Sequence, residues 1–195
     1  MTCDALLALA LFAFVTSVTP GPNNLMLMAS GANFGFRRTV PHMLGIGIGF
    51  TVMVALVGIG LAGVFERWPG VHTGLKVVSV AYLLWLAWKI ANAAPPGGGA
   101  AAGRPLTFLQ AAAFQWVNPK AWAMALSAVT VYAPGRELAS VALVALVFGV
   151  INLPSVSAWT VLGQGLRRLL SGPRRLRAFN GTMAVLLILS LLPML

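Results

Sequence analysis

The stretch "TPGPNNLM", residues 19–26, interrupts a run that is otherwise almost entirely Leu, Ala, Phe and Val. Pro20 and Pro22 lack the N–H group with which a helical residue donates, and each blocks the carbonyl one turn earlier. Gly21 lies between them. The stretch therefore predicts a broken helix, and its meaning depends on what kind of helix is broken.

The composition of the chain is that of an integral membrane protein. Of its 195 residues, 59% are hydrophobic and 8% are charged, whereas a soluble domain carries about 25% charged residues. Several apolar runs reach about 20 residues, enough to cross a hydrocarbon core of roughly 30 Å. The net charge of +10 lies in the connections between these runs, so it indicates topology and anionic lipid rather than nucleic acid. The single cysteine, Cys3, excludes an internal disulfide.

Six apolar segments predict an all-α integral membrane protein with six transmembrane helices. They cover residues 5–30, 43–65, 71–90, 107–132, 138–165 and 180–195. The last segment is short unless it begins near Leu176. The first has no basic leader and continues past the Pro-Gly break, so we interpret it as a retained span rather than a signal peptide.

The distribution of lysine and arginine predicts the orientation of the spans. Nine basic residues follow spans 1, 3 and 5: Arg37, Arg38, Lys89, Arg104, Arg167, Arg168, Arg174, Arg175 and Arg177. Three lie on the other side: Arg67, Lys76 and Arg136. Because basic loops stay in the cytoplasm, the chain is predicted to be a multi-pass protein of the bacterial inner membrane with both termini on the periplasmic side.

The low-complexity stretch "APPGGGAAAGRP", residues 94–105, divides the chain into halves of three spans each. We predict a single transmembrane transporter domain over residues 1–195, with repeat 1 at 1–91, a freely moving linker at 92–106 and repeat 2 at 107–195. Because three is odd, the second half enters the membrane inverted. Inverted repeats of this kind are common in secondary transporters.

Span 4 contains a second break, Asn118-Pro119-Lys120, and Pro119 follows Pro20 by 99 residues. Matched breaks in the first helix of each half indicate a binding site at the membrane midplane. Broken helices place N-termini, which attract anions, and C-termini, which attract cations, at that depth. Helices 1 and 4, broken at mid-membrane, could therefore hold a zwitterion. The alternative is that both breaks are kinks that improve helix packing.

Lys120 is the strongest single candidate. Its side chain reaches about 6 Å, whereas half the apolar thickness is about 15 Å, so it cannot easily reach the headgroups. Ionisable residues at this depth are functional candidates. The alternative is a structural lysine bonded to carbonyl groups freed by Pro119, and both roles can coexist.

The two breaks predict how an amino acid could be bound. Lys120 and the N–H groups after Pro22 and Pro119 would meet the carboxylate. Freed carbonyl groups near Thr19 and Val117, together with the amide oxygens of Asn23, Asn24 and Asn118, would meet the ammonium group.

Four further features have open interpretations. Asn152-Leu153-Pro154 breaks span 5, either to line the cavity or as a packing kink, and Tyr82 is deep enough to face substrate. Gly45 and Gly49 indicate close helix packing. His42 is interpreted as a surface histidine of a basic loop.

With TPGPNN in span 1 and NPK in span 4, the chain resembles the LysE family of amino-acid exporters, in its RhtB branch. The stretches "TPGPNNLM", "ASGANFGFRRT" and "YLLWLAWKI" are similar in particular to members that export cysteine and O-acetylserine. The first family motif maps onto Pro20, Gly21, Pro22 and Asn24, and the second onto Asn118, Pro119 and Lys120. Many relatives carry Asp at the position of Asn24. This chain has Asn there instead, and therefore lacks a carboxylate at that position for proton coupling.

The resemblance implies a small inner-membrane antiporter, driven by the proton gradient, for neutral or basic amino acids and related metabolites. The expected partners are an amino acid, protons as coupling ions, and the lipid bilayer, with no nucleic acid and no cofactor. The substrate is left among neutral amino acids, cysteine or O-acetylserine, and homoserine or threonine. No oligomeric state follows from the residues.

The acidic residues restrict the alternatives. They are Asp4, Glu66 and Glu137, and none lies inside a predicted span. A metalloprotease or a metal-cation exporter needs clustered acids or histidines, so both are disfavoured. The chain also lacks a phosphate-binding loop for ATP. Two other classes remain: a membrane enzyme that uses Lys120 as an active group, and a scaffold that does not transport.

Overall fold

The computed structural model of the chain describes residues 1–61, 63, 69–93, 104–170 and 172–192. These residues form helices joined by short connections, and no β-strand occurs among them. The α-helices are α1 (Cys3–Val18), α2 (Pro22–Phe34), α3 (Phe36–Leu56), α4 (Pro69–Ala91), α5 (Phe108–Phe114), α6 (Pro119–Tyr132), α7 (Leu138–Leu166) and α8 (Pro173–Leu189). A π-helical turn, Val57–Leu61, extends α3, and a 3₁₀ turn, Gln115–Val117, follows α5.

Several of these helices are long and apolar enough to cross a membrane. They are Phe36–Leu61, Thr73–Ala91 and Leu138–Leu166. The pair α1 and α2 meets the same criterion together, with a bend of 54° between them. The part of the chain that the structure describes thus supplies three candidate spans, or four if the bent pair is one span. The count of six spans and the inverted repeat stay predictions.

Both breaks lie where the motifs indicate, but other predicted boundaries are wrong. α3 begins at Phe36 rather than at residue 43, so His42 belongs to a helix and not to a loop. α7 continues through Pro154, so the predicted break at Asn152-Leu153-Pro154 does not occur. One proline removes one N–H group, and a helix can continue past it. Most of the predicted linker, residues 94–103, lies outside the described residues.

The last helix also differs from its predicted range. α8 begins at Pro173, so Arg174, Arg175 and Arg177 form its first turns. Proline is favoured at the first position of a helix because its missing N–H group would have no helical partner there. The range predicted for span 6, 180–195, therefore began too late.

The basic connections meet at one end of the molecule. A Cβ built on Gly35, between α2 and α3, would lie 3.4 Å from Nη1 of Arg167, which follows α7. Near the same end, the amide of Asn33 donates to Oδ1 of Asn180 in α8 at 2.8 Å. We call this region, defined by these four residues, the basic end. This arrangement agrees with the prediction that the basic loops lie on the same side of the membrane.

The opposite end is built around the C-terminus of α6. Val57, Ala133 and Val141 belong to one buried apolar cluster there. Phe148 of α7 extends this cluster toward the middle of the molecule, where its ring meets Phe50 edge-on at a centroid distance of 5.4 Å. The core therefore joins the turn after α3 to the start of α7.

Small residues let two pairs of helices approach closely. Between α2 and α7, a Cβ built on Gly163 would overlap the carbonyl oxygen of Met28. Between α3 and α5, a Cβ on Gly49 would lie 2.7 Å from the Cα atom of Ala112, and one on Gly45 would overlap the backbone of α5. The prediction that Gly45 and Gly49 serve helix packing is confirmed.

Replacing Gly163 should separate α2 from α7. We expect Gly163→Leu to lower the free energy of unfolding by about 1–3 kcal/mol, because the added side chain overpacks the contact with Met28. At about 2–4 °C per kcal/mol for a chain of this size, the melting temperature of the purified protein in detergent should fall measurably. The matched control is Gly165→Leu, since nothing lies within 4 Å of a Cβ built on Gly165. Equal melting temperatures for the two variants would contradict the close contact.

Candidate functional site

The first break leaves the last carbonyl groups of α1 without helical partners, and side chains bond to them instead. The amide of Asn24, in the first turn of α2, donates to the carbonyl oxygens of Ser17 and Thr19, each at 2.8 Å. The indole Nε1 of Trp159, from α7, donates to the carbonyl oxygen of Val18 at 3.1 Å. The C-terminus of α1 is therefore held by groups from other helices.

Lys120 bonds to the same helix end. Its Nζ donates to the carbonyl oxygen of Thr19 at 2.7 Å and to the hydroxyl Oγ1 of that residue at 2.9 Å. A third, longer contact of 3.4 Å reaches the carbonyl oxygen of Pro20. A cation is favourable at a helix C-terminus because the unpaired carbonyl groups carry partial negative charge. The structure thus brings Lys120 to the carbonyl groups of the first break, whereas the structural alternative had placed it on those freed by Pro119.

Glycine at position 21 leaves room for this lysine. A Cβ built on Gly21 would lie 2.7 Å from Cδ and 3.2 Å from Nζ of Lys120. Any side chain here would therefore displace the stem or the head of the lysine. The family motif residue Gly21 and the motif residue Lys120 are thus direct neighbours across the two breaks.

The second break is centred on Asn118, which is extended and 2% exposed. Its side-chain Oδ1 accepts from the backbone N–H of Lys120 at 3.1 Å and so caps α6. Its own backbone N–H donates to the carbonyl oxygen of Gln115 at 3.2 Å. Pro119 occupies the first turn of α6, where a missing N–H group costs nothing.

A pair of side-chain amides connects the two breaks. Asn23 Nδ2 donates to Gln115 Oε1 at 2.9 Å, and Gln115 Nε2 donates back to Asn23 Oδ1 at 3.2 Å. Gln115 is fully buried. Gln115 was not predicted as a site residue, although a glutamine three positions before Asn118 in an apolar segment is itself a signal.

Asn152, on α7, brings to the site a side-chain oxygen that has no hydrogen-bond partner among the described residues. Its Nδ2 approaches Oγ of Ser17 at 3.4 Å, while its Oδ1 is buried and has no hydrogen-bond partner among the described residues. The hydroxyl of Ser155, one turn along the same helix, is buried and unpartnered in the same way. Asn152 therefore joins the site although its helix does not break.

Six of the predicted site residues line one small cavity between the breaks, which we call the central cavity. Its lining consists of Thr16, Ser17, Gly21, Asn23, Asn24, Phe50, Asn118, Lys120, Ala121, Met124 and Asn152. The space open to the centre of a water-sized sphere is about 20 Å³, which is room for about one water molecule. The site is closed in this conformation, and an amino acid does not fit without movement of the helices around it.

The remaining predicted residues take other positions. Thr19 and Pro20 bond to Lys120 beside the cavity, and Pro22 and Pro119 start the helices that follow each break. The ring of Tyr82 packs on Phe114 with a centroid distance of 5.5 Å and does not line the central cavity.

The charge in the lining of the central cavity is positive. Among the residues that the structure describes, Lys120 is the only charged one in its lining, and no carboxylate lies there. At the N-terminus of α2, Gly21 offers no side-chain cap, so the first N–H groups of that helix remain available to an anion. No group of three or more His, Cys, Asp or Glu side chains that could hold a metal ion occurs in the part of the chain that the structure describes.

Comparisons with known proteins agree with the motifs. The model of the LysE type translocator family matches residues 14–190. The cysteine/O-acetylserine efflux protein of Escherichia coli O139:H28 (strain E24377A / ETEC) is 30% identical over 191 residues, which is 96% of each chain. The proteins of the same name from Escherichia coli (strain K12) and Shigella sonnei (strain Ss046) are each 30% identical over 87% of both chains. No solved structure matches significantly.

Proposed function

Because the chain belongs to the LysE type translocator family, we propose that it is a secondary exporter of small amino acids or related metabolites. The family model is that of a translocator, which favours transport over catalysis. The relatives named as cysteine/O-acetylserine efflux proteins favour cysteine or O-acetylserine, with other neutral amino acids such as homoserine and threonine as further candidates. Export is proposed to be coupled to protons.

The observation that carries this proposal is the meeting of the two helix breaks at the central cavity. Lys120 and the uncapped N-terminus of α2 present positive charge and N–H donors to one side of it. Asn152 Oδ1 presents an unpaired acceptor. A zwitterion needs both kinds of group, with its carboxylate toward the lysine and its ammonium group toward the acceptors.

Substrate binding requires Lys120 to change partners. Its Nζ is occupied by Thr19 in the closed conformation. We infer that the substrate carboxylate replaces the Thr19 carbonyl oxygen as the partner of Nζ when the cavity widens. Asn24 still donates to the carbonyl oxygen of Thr19, so this oxygen keeps a hydrogen-bond donor after the exchange. The exchange would tie substrate binding to the geometry of the first break.

The charge of the cavity also favours neutral over basic amino acids. Lys120 without a neighbouring carboxylate repels a second cation, and repulsion between like charges is strong where water is excluded. Neutral amino acids carry a carboxylate for the lysine and no additional positive charge. The proposal therefore narrows the substrate class to neutral amino acids.

The proposed topology places the basic end in the cytoplasm. Arg37, Arg38 and Arg167 lie at or beside the connections that meet there, as the positive-inside rule requires. Six spans arranged as two inverted repeats would then leave both termini on the periplasmic side of the bacterial inner membrane.

Flux in reconstituted vesicles tests the function directly. Purified protein is reconstituted into vesicles that are loaded with radiolabelled O-acetylserine, and the external solution is then made acidic. We expect efflux above that of protein-free vesicles, with acceleration by the pH gradient that a protonophore removes. Lysine should leave more slowly than O-acetylserine. If neither O-acetylserine nor any of the standard amino acids shows gradient-dependent efflux, the exporter assignment is rejected.

A further inference from the structure

A second cavity lies at the basic end, away from the two breaks. It measures about 210 Å³ to the centre of a water-sized sphere, roughly ten times the space of the central cavity. Helices α2, α3 and α4 and the segment before α5 form its walls, with apolar surface from Met26, Leu86 and Leu106. Lys89 and Arg104 add two positive charges, and no acidic residue lines it among those described. The cavity therefore favours a small solute that combines an apolar part with an anionic group.

His42 in the wall of this cavity has unused hydrogen-bonding capacity. It is 2% exposed, and both imidazole nitrogens are buried without a partner among the described residues. A neutral imidazole carries one donor and one acceptor. Two other polar side chains of this wall are already engaged: Ser30 shares a hydrogen bond of 2.8 Å with the hydroxyl of Thr39, and Asn33 exchanges hydrogen bonds with Asn180. The expectation that His42 is a surface residue is wrong, and its burial leaves a polar group without a partner.

The cavities follow one another along a single helix. His42 lines the cavity at the basic end, Phe50 lines the central cavity, and Val57 lines a third cavity of about 190 Å³ beside Arg136. With a rise of 1.5 Å per helical residue, these positions are about 12 Å and about 10 Å apart along α3 and the π-helical turn that extends it. The three spaces therefore form a series from the basic end to the opposite end, closed in the middle.

We propose that the cavity at the basic end is a second solute site, where the exported amino acid binds from the cytoplasm before it reaches the central cavity. This inference rests on the proposed export function. Lys89 and Arg104 pair with the carboxylate of the solute, and His42 hydrogen bonds to it. The apolar wall contacts its uncharged part. An anionic group is favoured here because both fixed charges are positive.

Protection from thiol labelling can detect a solute in this cavity without measuring transport. Asn92 is exposed and lines the cavity, so Asn92→Cys is introduced into full-length protein in which Cys3→Ser removes the native thiol. The rate of maleimide labelling is measured in detergent against O-acetylserine concentration. We expect O-acetylserine to slow labelling, while O-acetylethanolamine, which lacks the carboxylate, protects far less.

Variants assign the protection to specific side chains. Lys89→Met and His42→Leu should each raise the concentration of O-acetylserine that gives half-protection, by about tenfold for the lysine, the effect of losing one charged hydrogen bond. Lys76→Met is the matched control, because it removes the same charge from α4 at a position that does not line the cavity. It should leave half-protection unchanged.

The outcomes separate this inference from the export function. Vesicle flux without protection of Asn92→Cys, or equal protection by O-acetylethanolamine, would overturn the second site and leave the exporter assignment intact. Protection that Lys89→Met and His42→Leu weaken, in a protein that shows no flux, would support the binding site and reject export. Protection insensitive to both substitutions would also overturn the site.

Discussion

Lys120→Met should weaken substrate binding by about 10- to 100-fold and reduce transport correspondingly. The reason is that a charged hydrogen bond contributes about 1.5–3 kcal/mol, and each 1.4 kcal/mol is a factor of ten. Methionine keeps much of the apolar stem while removing the charge. The fold should survive, because Asn24 still donates to the carbonyl oxygen of Thr19 at 2.8 Å. Binding of radiolabelled O-acetylserine to purified protein measures the affinity, and the melting temperature checks folding.

Two further variants make this test specific. Lys120→Arg should recover only part of the affinity. The guanidinium group is larger and planar, and the lysine side chain already lies directly against Gly21. Lys76→Met removes a lysine charge away from the central cavity and should bind O-acetylserine as the unmodified protein does. Undiminished transport by a correctly inserted Lys120→Met protein would contradict the assignment. A loss of insertion with unchanged affinity in the folded fraction would instead assign a purely structural role to the lysine.

Asn24→Leu should cause the largest loss of stability among single substitutions at the breaks. Leucine has nearly the same size but donates no hydrogen bond, so the Ser17 carbonyl oxygen loses its side-chain partner and the Thr19 carbonyl oxygen keeps only Lys120. An acceptor left unsatisfied in a buried site costs about 1–3 kcal/mol. At roughly 2–4 °C per kcal/mol, the melting temperature should fall by several degrees, and transport should fall with it.

Trp159→Phe is the graded comparison for this variant. It removes one donor, the indole Nε1 that bonds to the Val18 carbonyl oxygen, and it retains an aromatic ring. We expect a smaller fall in melting temperature than for Asn24→Leu, because only one carbonyl group is affected and Val18 is 37% exposed. A larger effect for Trp159→Phe would show that packing of the indole, rather than bonding to the helix end, decides the stability of the break.

The breaks themselves could be predicted because their cause is local. Pro20, Pro22 and Pro119 lack N–H groups whatever surrounds them, and the structure ends or starts helices at these positions. That Lys120 needs a partner also followed from its depth. Which carbonyl group it bonds to did not follow, because Thr19 precedes it by 101 residues and the approach depends on how the halves pack.

The errors concern features that packing decides. His42 was predicted to lie in the basic loop before the apolar segment at 43–65, yet α3 begins at Phe36 and includes it. Pro154 was predicted to break span 5, yet α7 continues through it. Gln115 was not predicted to belong to the site, although its amide pair with Asn23 connects the two breaks. Contacts between residues that are far apart in the sequence cannot be predicted from the local residue pattern.

The bonding of the first break has a consequence for how the protein is made. Two of the side chains that donate to the end of α1, Lys120 and Trp159, follow their partners in the chain by 101 and 141 residues. A nascent chain that enters the bilayer from its N-terminus exposes this helix end long before those donors are synthesised. Unpaired carbonyl groups are costly in hydrocarbon, and the Val18 carbonyl oxygen gains its side-chain donor only with α7, so we expect the first half to keep contact with water or with the insertion machinery until α7 arrives. The bonding of the first break is thus completed only when the second half is present.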